Sequence, residues 1–171
     1  AQNYYPGAEG QGVISVYPLS NLWGKPSTIS SDHWLIGASR DSLLLSPYSP
    51  TNGNDWSTRF RPFTVTQMGT DGTVRRTITG VNRVYPGGWL QRFSDPAAAA
   101  TLAASTVGKD DDQTRAAWNA LPTQIVDLNS GSTHDLTGGR AESVGVPTGP
   151  GLLISHETAD ENGRPQQVWL R

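Results

Sequence analysis

Apolar positions along this chain fall in short runs and recur mainly at every second residue. Residues 13–17, 63–66, 73–78 and 124–128 alternate apolar with polar side chains and are rich in β-branched types. That is the pattern of strands with one face buried. Each run is bounded by Gly, Pro, Asn, Asp or Ser, which favour turns for distinct stereochemical reasons. Residues 68–72 and 129–132 each read as a hairpin turn. Helical patterning is confined to 95–104 and 110–121. The first opens Asp-Pro followed by alanines, a good helix start because proline suits the first turn. The chain is therefore predicted to be all-β in the main, with many short strands.

The runs also repeat. Residues 43–56, 101–118 and 152–169 each read as an apolar strand, a polar loop and a closing tryptophan: Trp56, Trp118 and Trp169. A strand and hairpin precede each passage, beginning near 13, 63 and 124. One four-stranded unit cannot bury its apolar face alone, whereas three around an axis share a core. Closing them into a barrel also removes exposed strand edges. The expectation is a β-trefoil: one domain over 1–171, with repeats at about 10–61, 62–122 and 123–171. A jelly roll or other sandwich is the alternative. The middle unit is the longest, and 80–100 is expected to project from it as an insertion.

Composition narrows the classes. There are 19 glycines and 12 prolines in 171 residues without a collagen period, and six tryptophans argue against a disordered chain. The net charge is −2 and Lys25 and Lys109 are the only lysines, so no broad basic footprint for nucleic acid or an anionic membrane is present. No apolar run is long enough to cross a bilayer as a helix, and no membrane insertion is expected. The first residues do not read as a secretory leader. With no cysteine, disulfides and thiol chemistry are excluded, and either redox compartment suits the chain.

Catalytic and cofactor motifs are lacking. No nucleophile elbow, zinc-protease helix or phosphate loop occurs, so no enzyme and no cofactor is expected. His33, His134 and His156 are scattered. Asp32–His33 and His134–Asp135 are neighbours, and on a strand adjacent side chains point to opposite faces. The run at 110–112 lacks the alternate spacing of a calcium loop and reads as a solvated turn.

The third unit holds Ile-Val-Asp-Leu-Asn-Ser-Gly-Ser at 125–132, Asp135-Leu136 after it, and Gln167-Val168-Trp169 at its end. These residues resemble the repeat of the ricin B-type lectin family, and the absence of cysteine is similar to its mushroom-type members. In the first unit the closing motif is Asn54-Asp55-Trp56, and in the second no glutamine precedes Trp118 in the family's place. The resemblance implies a trefoil that binds glycans without catalysis, in shallow surface pockets and an extracellular setting, and it admits a homodimer. It makes the three repeated tryptophans structural, and they are expected to be buried.

A sugar pocket needs a carboxylate to accept hydroxyl hydrogen bonds, a ring for the apolar face of the sugar and an amide beside them. In the third unit the resemblance points to Asp135, His156 and Asn162. In the first, Asp32, Tyr48 and Asn54 take those places by looser analogy. Trp89, in a Tyr-Pro-Gly-Gly-Trp turn, is either a stacking platform or a loop anchor. Two other classes compete. A trefoil protease inhibitor would present a loop such as 24–26 or 39–41, and a structural coat or surface protein would suit the Thr, Ser, Gly and Pro content.

Overall fold

The computed structural model describes residues 12–18, 20–47, 61–109, 111–136, 144–148, 151–159 and 165–170, with side chains of the last three strands described at 151–153 and 169–170. The described chain is mostly β, as its alternation predicts, with two helices. The strands in order are β1 (Gly12–Val16), β2 (Ser27–Ser31), β3 (Trp34–Ala38), β4 (Ser42–Ser46), β5 (Phe63–Gly69), β6 (Val74–Tyr85) and β7 (Trp89–Phe93). Helices α1 (Pro96–Ser105) and α2 (Asp112–Ala120) follow, then β8 (Thr123–Asp127), β9 (Thr133–Leu136), β10 (Val144–Thr148), β11 (Gly151–Ala159) and β12 (Pro165–Leu170).

β3 to β9 form one seven-stranded antiparallel sheet in which every strand pairs with its neighbour in sequence. β1 and β2 make a separate hairpin, and β10 to β12 a three-stranded sheet. The large sheet runs through all three expected repeats.

The large sheet folds over on itself at β6. The first part of that strand pairs with β5, while Val81 to Tyr85 pair with β7. The ladder is irregular between these parts, and Gly80 lies there at φ +73°. A bulge with a left-handed residue is how one strand bends to serve two halves of a sheet. The halves then meet. Arg40 N donates to Asn129 Oδ1 at 2.9 Å, and Arg76 Nη2 reaches the carbonyl of Leu128 at 3.4 Å. In a flat sheet at about 4.8 Å per strand, β4 and β8 would stand roughly 19 Å apart.

The inner face holds the largest apolar cluster: Leu44, Val65, Ile78, Val81, Leu90, Val126 and Leu128, with Ile36, Phe63 and Val84 packed against it. These residues alternate along their strands with the outer face, which is covered in three patches. Leu43, Leu45 and Met68 pack under Ile14 and Ile29 of the first hairpin. Tyr85, Trp89, Ile125 and Leu136 pack against Leu152 and Leu170 of the last sheet. Phe93 packs with Ala99 and Trp118 of the helices.

The first helix starts as its sequence predicts, and the second starts two residues into its expected range. Asp95 caps α1, accepting from Ala97 N at 2.9 Å and Ala98 N at 3.0 Å, with Pro96 at the first turn. Asp111 caps α2, accepting from Thr114 N at 2.7 Å. The aspartate run at 110–112 thus opens a helix where it is described. The hairpins expected at 68–72 and 129–132 join β5 to β6 and β8 to β9.

Several expectations need correction. Residues 80–100 are not an excursion: they supply the second half of β6, all of β7 and the start of α1, in the middle of the large sheet. The described residues of 101–118 form no strand, because their small and polar side chains build the end of α1 and most of α2, and Trp118 is helical. Of the repeated tryptophans, Trp118 is 3% exposed as expected, but Trp169 is 47% exposed on β12, and Trp56 lies outside the described residues. Trp118 and Trp169 do not occupy equivalent places.

Candidate functional site

The sequence-predicted residues separate. Tyr48, Asn54 and Asn162 lie outside the described residues. His156 is on β11, where the backbone alone is described. Trp89 is 5% exposed, so its ring is a core anchor and not an open stacking platform. It is buried because the Gly87–Gly88 turn places it first on β7, facing Leu152 and Leu170. His134 lies beside it, with ring centroids 6.4 Å apart. Asp135 is exposed on β9. Pairing with Gln124 puts it on the inner face of the sheet, and His134 pairs with Ile125 on the outer one.

Asp32 sits in a built surround. Residues 32 and 33 form a bend between β2 and β3, off the strands, and there the expectation for adjacent side chains fails. His33 Nδ1 donates to Asp32 Oδ1 at 2.5 Å. A strand would have sent the two to opposite faces, but the bend brings them together. Ser31 Oγ accepts from His33 N at 3.0 Å and fixes the bend from the other side. The histidine hydrogen bond, chiefly, holds the Asp32 carboxyl below its ordinary 3.8. The group is therefore a carboxylate over the neutral range, with its second oxygen free of that bond.

This pair borders a groove of about 440 Å³ between the first hairpin and the outer face of the sheet. Leu45, Met68 and Val74 line its apolar part, and Ser30, Ser31, Thr66 and Thr77 bring hydroxyls to the lining. Register explains the set: Leu45 pairs with Thr66, Thr66 with Thr77, and Met68 with Val74, so all face outward together. The groove thus combines a carboxylate, an imidazole and four hydroxyls around apolar contact surface. His33 was set aside on the expectation that it and Asp32 point apart, and Thr66 and Thr77 were not singled out from the sequence. Their signal is the Asp-His dipeptide between two β-like runs and the threonines alternating on adjacent strands.

The remaining candidates carry less. Among the described residues no group of three His, Cys, Asp or Glu could hold a metal ion. The turn at 39–41 is tied down by the Arg40–Asn129 bond and by an Arg75–Asp41 ion pair at 2.8 Å. Trp23, between β1 and β2, is 99% exposed. No helix among the described residues is long and apolar enough to cross a membrane. In comparisons with family models, curated proteins and solved structures nothing matches this chain.

Proposed function

We propose that this protein binds carbohydrate without transforming it, and that the groove at Asp32 and His33 is the binding site. The observation that carries this reading is the lining itself. A sugar is amphiphilic, with hydroxyls around its edge and an apolar C–H face. The groove offers Asp32 as a double acceptor, His33 and four hydroxyls as further hydrogen-bond partners, and Leu45, Met68 and Val74 for the C–H face. Among the described residues the imidazole of His33 is hydrogen-bonded to Asp32, and the Ser31 hydroxyl accepts from the backbone N–H of His33.

The trefoil is the finer fold reading behind the family resemblance. Its support is the recurrence of hairpins at 68–72 and 129–132 in successive repeats, not the tryptophans. The binding proposal does not depend on it, because the groove is formed by β2, β4, β5, β6 and the bend.

The test is a glycan array followed by titration of a hit into wild type and Asp32→Asn. Asparagine keeps the shape but replaces one acceptor oxygen with a donor and removes the charge. A charge-assisted hydrogen bond to a hydroxyl contributes about 1.5–3 kcal/mol, so affinity should fall roughly ten- to hundredfold. An array without hits, or equal affinity of the two proteins, overturns the reading.

A further inference from the structure

The inner face of the sheet turns polar one step beyond its core. Leu90 of β7 pairs with Val126 of β8, both in the inner cluster. Two residues along, Arg92 pairs with Gln124, which pairs with Asp135 on β9. Partners directly opposite in an antiparallel sheet share a face. A guanidinium, an amide and a carboxylate therefore stand in one row, with the outer two roughly 10 Å apart at the backbone from two strand spacings.

These three side chains have no hydrogen bond or ion pair with the described residues, although other polar groups on the sheet do. Arg75 pairs with Asp41, Arg76 donates to Gln67 at 2.7 Å, and Gln91 bonds both Tyr85 and Thr123. Arg92 Nε is in addition buried and without a partner. So are both polar atoms of Asn82, the extra residue in the β6 ladder between Val81, which pairs with Arg92, and Arg83. Buried polar groups are nearly always satisfied, and a charged donor left unpaired is among the costliest exceptions. Bulges that re-aim side chains also gather at binding sites.

We propose that the row Arg92–Gln124–Asp135 is a second saccharide site, selective for a uronic acid. The planar fork of Arg92 matches a carboxylate in two parallel hydrogen bonds, which an ammonium cannot reproduce. Gln124 and Asp135 then take the ring hydroxyls, the amide giving and accepting, the carboxylate accepting only. Asp135 also sets the selectivity: it repels a ligand whose negative charge extends along the row, such as a phosphate ester at that end. One carboxylate at the Arg92 end with neutral hydroxyls at the other matches the order of charges.

This inference rests on the reading of the protein as a carbohydrate binder, and the experiment separates the two. Galacturonate and galactose are titrated into the full chain and into Arg92→Lys, Arg92→Gln, Asp135→Asn and Asp32→Asn. Galacturonate should bind at least tenfold more tightly than galactose. Arg92→Gln and Asp135→Asn should each lower its affinity tenfold or more, and Arg92→Lys should recover only part of the loss. Asp32→Asn should leave galacturonate binding at the row unchanged. Asp135 is exposed, so its variant keeps the test decisive if Arg92 variants fail to fold. Galacturonate binding that ignores both Arg92 and Asp135, or that matches galactose, overturns the uronic acid site. If neutral sugars meanwhile bind through Asp32, the groove reading stands. If no saccharide binds anywhere, both fall.

Discussion

Replacing Gly80 with alanine tests the bend that folds the sheet. Two costs add at this position. The first is backbone: Gly80 has φ +73°, where a Cβ crowds the following carbonyl. That costs about 1–2 kcal/mol. The second is contact. A Cβ built there would lie 2.8 Å from Pro96 Cβ and 2.9 Å from its Cγ. The pyrrolidine ring is rigid and locked into the start of α1, so it cannot swing away as a long side chain would. Overpacking of this kind costs about 1–3 kcal/mol. The sum, about 2–5 kcal/mol, is a large part of the 5–15 kcal/mol typical of a whole domain. Gly108 supplies the control: it has the same φ of +73° and nothing within 4 Å of its Cβ position. Gly108→Ala should show the backbone cost alone. Urea unfolding followed by tryptophan fluorescence measures both, with midpoints compared at a common slope. Gly80→Ala should be the less stable by about 1–3 kcal/mol, the contact contribution alone. Equal loss in the two variants would refute the packing of α1 against the bend.

Two further outcomes are expected. Trp118→Ala removes the ring that packs on Phe93 at 5.5 Å and should cost about 3–5 kcal/mol in the same unfolding assay, while Trp23→Ala at an exposed turn should stay within about 0.5 kcal/mol. Asp32, Asp71 and Asp111 are all held below 3.8, by the His33, Thr73 and Thr114 hydrogen bonds respectively. A carboxyl depressed in the folded state adds stability that is full above its unfolded value and lost as pH falls through the folded one. The melting temperature should therefore be insensitive to these groups near neutrality and decline below about pH 4, with a shallower decline in Asp111→Asn, since asparagine still caps a helix.

Local signals made much of the secondary structure legible. Alternation marked β1, β5, β6 and β8, turn residues marked two hairpins, and Asp-Pro marked the start of α1, because each depends on neighbours within a few residues. Residues 80–100 were misread for the opposite reason. Their glycines and Trp89 resemble a decorated loop until the sheet supplies partners on both sides. The alternation of Trp89, Gln91 and Phe93 with Leu90 and Arg92 is the signal that identifies a strand, but only pairing shows that it is central. The groove was half legible. Asp32 lines the groove with its sequence neighbours Ser30, Ser31 and His33, but Thr66, Met68, Val74 and Thr77 come from strands more than thirty residues further on, where register and not sequence proximity decides which side chains meet.

The shared strand also bears on how the chain reaches its native state. β6 must pair with β5, bend at Gly80, and then pair with β7. One of the contacts between the two halves, Arg40 to Asn129, closes a loop spanning 89 positions. Hairpins between consecutive strands form early because their closure entropy is small, whereas this last joint gains nothing until both halves exist. The meeting of two preformed half-sheets is therefore the step expected to be slow, with the hinge glycine at the bend between them.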